Sequence, residues 1–306
     1  MRLFDLHCDT ATECYDKNEA LTDNTCAVSI NKAKRLFDAY AINFTVFSHD
    51  DLDTDFAYRR AKNVLGYIKS FLGGDTQPKA LDGALKRTDL SKNSEFILLS
   101  LENSLPVCDN IAYVSEFYDL GVRMISPTWN AANPIAGGCY DDCGFTEYGF
   151  EFIKECARLG VIVDVSHLGE KGFWQLLDRT DGPVIASHSC ARSLRDHPRN
   201  LTDEQIKALS SRGGIVGLNL WKELLNDNGN PDYDDVYGHI SHMACLGGES
   251  LPAIGSDFDG ADMSECLSGP EYLPRLYEYL LSKGFSESFC KKIFFDNAFD
   301  YFTRIL

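Results

Sequence analysis

Leu3-Phe4-Asp5-Leu6-His7-Cys8-Asp9, the stretch that opens this chain, is a short apolar run that ends on two groups able to bind a metal. Four further runs share the design: Phe96-Ile97-Leu98-Leu99-Ser100-Leu101-Glu102, Val161-Ile162-Val163-Asp164-Val165-Ser166-His167, Val184-Ile185-Ala186-Ser187-His188 and Pro252-Ala253-Ile254-Gly255-Ser256-Asp257. Runs of this length, flanked by Gly or Pro and rich in Val and Ile, read as buried strands of a parallel sheet. Each strand then delivers its polar group at its C-terminal end. In a closed parallel barrel those ends open on one face, so residues distant in sequence meet there. Three His, two Asp and one Glu gathered on that face suit a divalent metal, zinc first.

Working outward from these runs gives eight candidate strands, near residues 3–7, 42–48, 96–101, 122–127, 161–166, 184–187, 214–219 and 252–256. Helical patterns lie between them, for example at 29–39, 55–72, 112–120, 147–159, 203–211 and 270–282. This alternation predicts an α/β fold, a (β/α)8 TIM-type barrel with the metal site at the C-terminal ends of its strands. Thr202-Asp203-Glu204-Gln205 has the pattern of a capping box, and Gly121, Gly160 and Gly284 supply helix stops. No low-complexity linker, internal repeat or shift in composition divides the chain, so residues 1–306 are expected to form one barrel domain.

Composition narrows the function classes. A hydrophobic share of 44% supports a large core, and a net charge of -17 with pI near 4.7 argues against nucleic acid or an anionic membrane as partner. The sequence has no apolar stretch near the roughly 20 residues needed to span a bilayer. With no leader pattern or lipid-anchor tail, the expected compartment is the cytoplasm. A homodimer is the expected assembly for a soluble enzyme of this kind. The eleven cysteines are odd in number and irregularly spaced, which reads as reduced core residues rather than a disulfide framework. Cys139 and Cys143 form one Cys-x3-Cys pair with no second pair, too little for a structural zinc.

Each candidate ligand has a physical rationale. His7 and Asp9 are two apart, and on a strand such residues face the same side, so both can reach one ion. Glu102 is the bridging candidate, because a carboxylate has two oxygens and can hold two ions about 3.5 to 4 Å apart. His167 and His188 end successive strands 21 residues apart and would complete a second site. Asp257 closes the set beside the metals, where a carboxylate can take a proton from water and return it to a leaving group. Asp259 shares its strand parity, so spacing alone does not choose between them; Asp259 is read as a turn acid before Gly260. His49 and His197 read as solvated loop residues, and His239 and His242 as helix-face packing. Trp221, Tyr233, Tyr237 and Phe258 form an aromatic set that either lines a pocket or fills core.

Taken together, Asp5-Leu6-His7-Cys8-Asp9-Thr10, Leu101-Glu102-Asn103, Asp164-Val165-Ser166-His167, Ser187-His188-Ser189, Arg199-Asn200-Leu201, Gly255-Ser256-Asp257-Phe258-Asp259-Gly260 and Asp296-Asn297-Ala298 resemble the renal, or membrane, dipeptidase family of the metal-dependent amidohydrolase superfamily. The resemblance runs nearly end to end. It implies a zinc-dependent dipeptidase with two Zn2+, in which His7 and Asp9 bind the first ion, Glu102 bridges, and His167 and His188 bind the second. It further implies that Asp257 handles the proton, that a hydroxide bridging the metals attacks the peptide carbonyl, and that dipeptides with a D-residue at the C-terminal position are tolerated. Arg199 gains a role only through this resemblance: it would fork onto the substrate's terminal carboxylate. One segment departs from the family pattern. Pro127-Thr128-Trp129-Asn130-Ala131-Ala132-Asn133 carries Trp129 where relatives carry a histidine, so Trp129 and Asn130 are the expected substrate-side donors with an altered rate or range. Rival functions are hydrolysis of another small amide, a lactone or an N-acyl amino acid, a decarboxylase or isomerase on the same barrel, and a non-catalytic metal-binding relative.

Overall fold

The structure is a computed structural model and describes residues 1–74, 77–83 and 94–306. Eight strands form its centre: β1 (Arg2–Cys8), β2 (Ala39–Phe47), β3 (Glu95–Glu102), β4 (Val122–Ile125), β5 (Ile162–Asp164), β6 (Val184–Ser189), β7 (Val216–Leu218) and β8 (Pro252–Ile254). Every neighbouring pair is parallel, and β8 returns to β1, which closes the ring. A two-residue strand, Lys79–Ala80, adds to β3 outside this ring. All eight strands expected from sequence are present, and they alternate with helices as a (β/α)8 barrel requires.

Local signals set the helix ends. Thr202 and Gln205 form the reciprocal capping box at the start of Asp203–Ser211. Gly121, Gly160 and Gly284 all adopt positive φ, the left-handed conformation that ends a helix without a Cβ clash. The helix expected at 270–282 begins instead as a 3-10 turn, Pro270–Tyr272, and becomes α-helical from Leu273. Pro274 sits in its first turn, where a missing N–H costs nothing.

Two apolar layers hold the barrel. One lies between strands and helices. The other fills the lumen with residues from every strand or its threshold: Phe4, Leu6, Ala41, Leu98, Met124, Ile162, Ile185, Ile215 and Ala253. Phe295, Phe299 and Phe302 from the C-terminal segment close its N-terminal end, with Phe302 stacked on Phe4 at 5.2 Å. The opposite end therefore has to carry the polar groups.

Two irregularities shape that polar end. Between Asp5 and Cys8, three steps of β1 cover two of β2, and between Ala186 and Ser189, three steps of β6 cover two of β7. A bulge of this kind re-aims the extra side chain. The extra residues lie where His7 and His188 leave their strands. Gly217 and Gly255 make room for the second bulge, since a Cβ on either would lie 1.8 Å from the Ser187 carbonyl oxygen. The seam between first and last strands is thin in paired residues, with Asp5 opposite Ile254, but it continues past the strand ends. Asp257 N donates to His7 O at 3.0 Å and Asp9 N to Phe258 O at 2.9 Å.

Gly255→Ala should thus lower stability by about 3 kcal/mol or more through overpacking against backbone. Gly66→Ala, in an open position of the helix Thr54–Lys69, should be neutral or stabilising by up to about 1 kcal/mol. Denaturant midpoints of the two variants against the parent check this contrast.

Candidate active site

At the C-terminal end of the barrel the five strand-end ligand candidates and Asp257 come together, each no more than 9% exposed. Glu102 lies at the centre. Its Oε1 is 2.7 Å from His167 Nε2 and 3.5 Å from His188 Nε2, while its Oε2 is 3.4 Å from His7 Nε2. His7 Nε2 also lies 3.4 Å from Asp9 Oδ2 and 3.9 Å from Asp257 Oδ1. These atoms form three overlapping groups within 4.8 Å: His7, Asp9 and Glu102; Glu102, His167 and His188; His7, His188 and Asp257.

The electrostatics of this cluster are those of a cation site. Burial opposes charge on His7, but Glu102 and Asp9 overcome it and hold the imidazole well above its usual range. Burial and the neighbouring Glu102 push Asp9 up to about 8. Against burial, the imidazoles around Glu102 hold its carboxyl well below the usual carboxylate range. Burial and Arg199 bring His167 down to about 4, and burial with His7 brings His188 far down as well. Neutral imidazoles beside a carboxylate are the form in which a divalent ion takes them.

Hydrogen bonding adds a direct test of fit. His167 Nδ1 faces Asn130 Oδ1 at 3.0 Å, an atom that can only accept, so the ring proton sits on Nδ1. His167 Nε2 is then a lone pair, and Arg199 Nη2 donates to it at 3.0 Å. That lone pair still faces His188 Nε2 at 2.9 Å and Glu102 Oε1. His7 Nε2 and Asp9 Oδ1, both buried, have no hydrogen-bond partner. Acceptors aimed at one another and buried atoms left unpaired are costly in an apolar interior unless a cation joins them. The donor set of nitrogen and carboxylate oxygen therefore fits metal ions well.

A cavity of about 600 Å3 opens over this cluster, lined by Asp9, Glu102, His167, Arg199, Trp129, Asn130 and Asp257 among others. His7 and His188 lie beneath it. Arg199 is 3% exposed, and its Nη1 has no partner. Asp257 accepts from Asn219 Nδ2 at 2.9 Å through Oδ2, which leaves Oδ1 toward the cluster. Asp259 is used differently: it accepts from Thr10 Oγ1, and from Ala27 N at 2.8 Å, so it anchors loops even though it touches the cavity. Asn130 both lines the cavity and orients His167.

Several readings shift with the structure. β1 ends at Cys8 and β8 at Ile254, so Asp9, Asp257 and Asp259 lie in turns, and strand parity does not govern them. Asp257 and Asp259 both have positive φ, at 63° and 68°. His49 is not merely solvated, since it lines the cavity with its ring 5.0 Å from Trp129. Of the aromatic set, Trp221 reaches the cavity, Phe258 is core, and Tyr233 and Tyr237 pack on Tyr279 and Phe285. Sequence reasoning passed over Phe47, Thr12, Glu13 and Asp262 on the cavity wall. Phe47 is the last residue of β2, and the other three follow the ends of β1 and β8; only this nearness to strand ends could have marked them.

Comparison with known proteins gives the chain's family and agrees with its fold. A sequence model of the membrane dipeptidase family, peptidase family M19, matches residues 1–305. An uncharacterised protein from the pqqA 5′ region of Klebsiella pneumoniae is 36% identical over 193 residues, 59% of this chain and 71% of its own length. Among solved structures, the dipeptidase AC, a metallopeptidase of family M19, superposes with a TM-score of 0.90 at 23% identity over 100% of this chain and 98% of its own. A metallopeptidase from Rhodobacter sphaeroides, solved with a phosphinate mimic of L-Ala-D-Ala, gives 0.89 at 23% identity over 100% and 99%. No helix among the described residues is long and apolar enough to cross a membrane. From its family match over almost all of its length, the chain belongs to the membrane dipeptidase family, peptidase family M19.

Proposed function

We propose that this metallodipeptidase cleaves the peptide bond of dipeptides with two zinc ions at the barrel mouth. The observation that carries the reading is the placement of Glu102, whose two oxygens face His7 on one side and His167 with His188 on the other. In this reading His7 and Asp9 would hold one ion, His167 and His188 the other, and Glu102 would be shared between them. Bound there, the ions would supply Lewis acidity to the scissile carbonyl and bring the pKa of a water toward neutrality.

The chain's own residues supply the rest. Asp257 Oδ1 accepts the proton of the attacking water and returns it to the departing amine, while Asn219 keeps Oδ2 in place. Arg199, buried with a free Nη1, pairs with the substrate's terminal carboxylate and fixes its register. Trp129 lines the cavity and has one N–H donor, which would serve an oxygen that gains charge. It replaces a residue able to carry a positive charge, so its contribution is smaller. Asn130 acts mainly through His167. Tolerance for a C-terminal D-residue is supported by the dipeptide mimic bound to the Rhodobacter sphaeroides relative.

Three outcomes test this. Zinc-loaded protein should hydrolyse members of a panel of L,L and L,D dipeptides, a chelated sample should not, and Asp257→Asn should lose about 10²–10⁴-fold in kcat at unchanged zinc content. Intact dipeptides with two bound zinc ions would send the search to other amides or lactones. Arg199→Met should raise KM by about a hundredfold for free dipeptides while leaving dipeptide amides nearly unaffected, as kinetics on both substrate forms will read. Zinc uptake should also depend on pH. The Asp9 carboxyl, pushed up to about 8 without metal, and the His7 imidazole, held charged by Glu102 and Asp9, must each lose a proton to bind, so affinity should fall steeply as pH drops below 8 and keep rising above it. Competition titrations from pH 6 to 9, with Asp9→Asn for comparison, measure the slope.

A further inference from the structure

Beneath the ligand cluster lies a second polar layer that the reaction does not touch. Asp164, at the end of β5, is 1% exposed and accepts five hydrogen bonds. Ser166 N, Ser166 Oγ and Ser187 N reach its Oδ1 at 3.1, 2.8 and 2.9 Å, and Ser126 Oγ and Ser187 Oγ reach its Oδ2 at 3.0 and 2.5 Å. Two of these donors are backbone N–H groups and three are serine hydroxyls, whose protons an ionised aspartate, which only accepts, draws toward itself.

Ser187 has a single O–H, and its shortest contact is with Asp164 Oδ2, so that proton is spent there. Ser187 Oγ also lies 2.7 Å from His188 Nδ1, and having no second proton it must accept. The His188 ring proton therefore sits on Nδ1, and Nε2 carries the lone pair. Ser166 is used in the same manner: its O–H goes to Asp164 Oδ1, and its oxygen accepts from His188 N at 3.0 Å. Both the ring and the backbone of His188 thus trace to one carboxylate. This matters because His188 leaves β6 within a bulge, where regular strand pairing does not fix its direction.

We propose that Asp164 is a positioning residue which, through the Ser187 hydroxyl, sets the tautomer and ring orientation of His188 so that Nε2 presents a lone pair to the ion it would hold. The opposite tautomer would aim an N–H at Glu102 and His167 and close that position to any cation. The fold uses a related device across the barrel. Asp5 accepts from Ser256 N at 2.8 Å, Ser256 Oγ at 2.5 Å and His7 N at 3.3 Å, and Ser256 directly precedes Asp257. There the serine meets no imidazole, so it steadies backbone and sets no tautomer.

The proposal rests on the two-metal reading for its affinity readout only; its tautomer readout uses metal-free protein. Nitrogen NMR of 15N-histidine-labelled, chelated full-length protein should show His188 protonated at Nδ1. Ser187→Ala and Asp164→Asn should shift that ring toward Nε2–H and weaken zinc binding at one site by roughly 10–100-fold, with the other retained. Ser187→Thr, which keeps the hydroxyl, should restore both. Ser256→Ala should leave the His188 tautomer as it is. An Nε2–H tautomer in the parent protein overturns the proposal whatever the variants do, and so does a Ser187→Ala protein with unchanged tautomer and zinc affinity. A protein with the Nδ1–H tautomer that binds no zinc would refute the two-metal reading and leave the proton assignment intact.

Discussion

Glu102 sets two carboxylate oxygens against three imidazoles at the mouth of a barrel whose floor is packed with hydrocarbon, and the remaining site geometry answers to that contact. A buried carboxylate is costly unless charge or hydrogen bonds surround it. Here it meets nitrogens that present lone pairs as well as one, on His7, held in its charged form. The chain alone cannot satisfy every atom of such a cluster. His7 Nε2 and Asp9 Oδ1 remain without a partner, and cations would relieve both while reversing the local preference for protons.

The two ends of the barrel divide the labour. Phe295, Phe299 and Phe302 close one end and pack on the lumen, where Phe4 meets Phe302 face to face. Burial there serves stability alone. The other end stacks two polar layers, with Asp5, Asp164, Ser166, Ser187 and Ser256 below and the metal-binding candidates above. The lower layer is fully paired, and this keeps the upper one rigid enough to leave some of its own atoms unpaired. Precision at the surface of the site is supported from within.

Much of this was legible in the sequence, for reasons that can be stated. Buried parallel strands are uniformly apolar, so a histidine or carboxylate at their ends stands out, and the five runs led directly to His7, Glu102, His167, His188 and Asp257. Helix stops were readable because glycine alone takes positive φ without strain, as Gly121, Gly160 and Gly284 do. Alternation was the weaker guide. It assumed regular strands through Asp9 and Asp257, whereas bulges and turns aim these side chains, and a bulge depends on neighbouring strands rather than on its own sequence. The inner layer is hard to see for a related reason: Asp5 and Asp164 sit inside apolar runs, although an acid within a buried strand must have donors around it. His49, in the loop after β2, and Phe47, the last residue of that strand, carried no local mark at all.

The join between β1 and β8 has a consequence for how the molecule comes into being. His7 and Asp9 belong to the first strand and its turn, Asp257 to the turn after the last, and the backbone bonds from Asp257 N to His7 O and from Asp9 N to Phe258 O stitch them together. His7 and Asp9 therefore wait for some 250 further residues before these neighbours exist. A ribosome-bound chain short of β8 carries His7, Asp9, Glu102, His167 and His188 yet has an open cylinder and lacks Asp257. The side-chain cluster is complete only with closure of the ring, and the long sequence separation across that seam makes closure a slow, late event in folding.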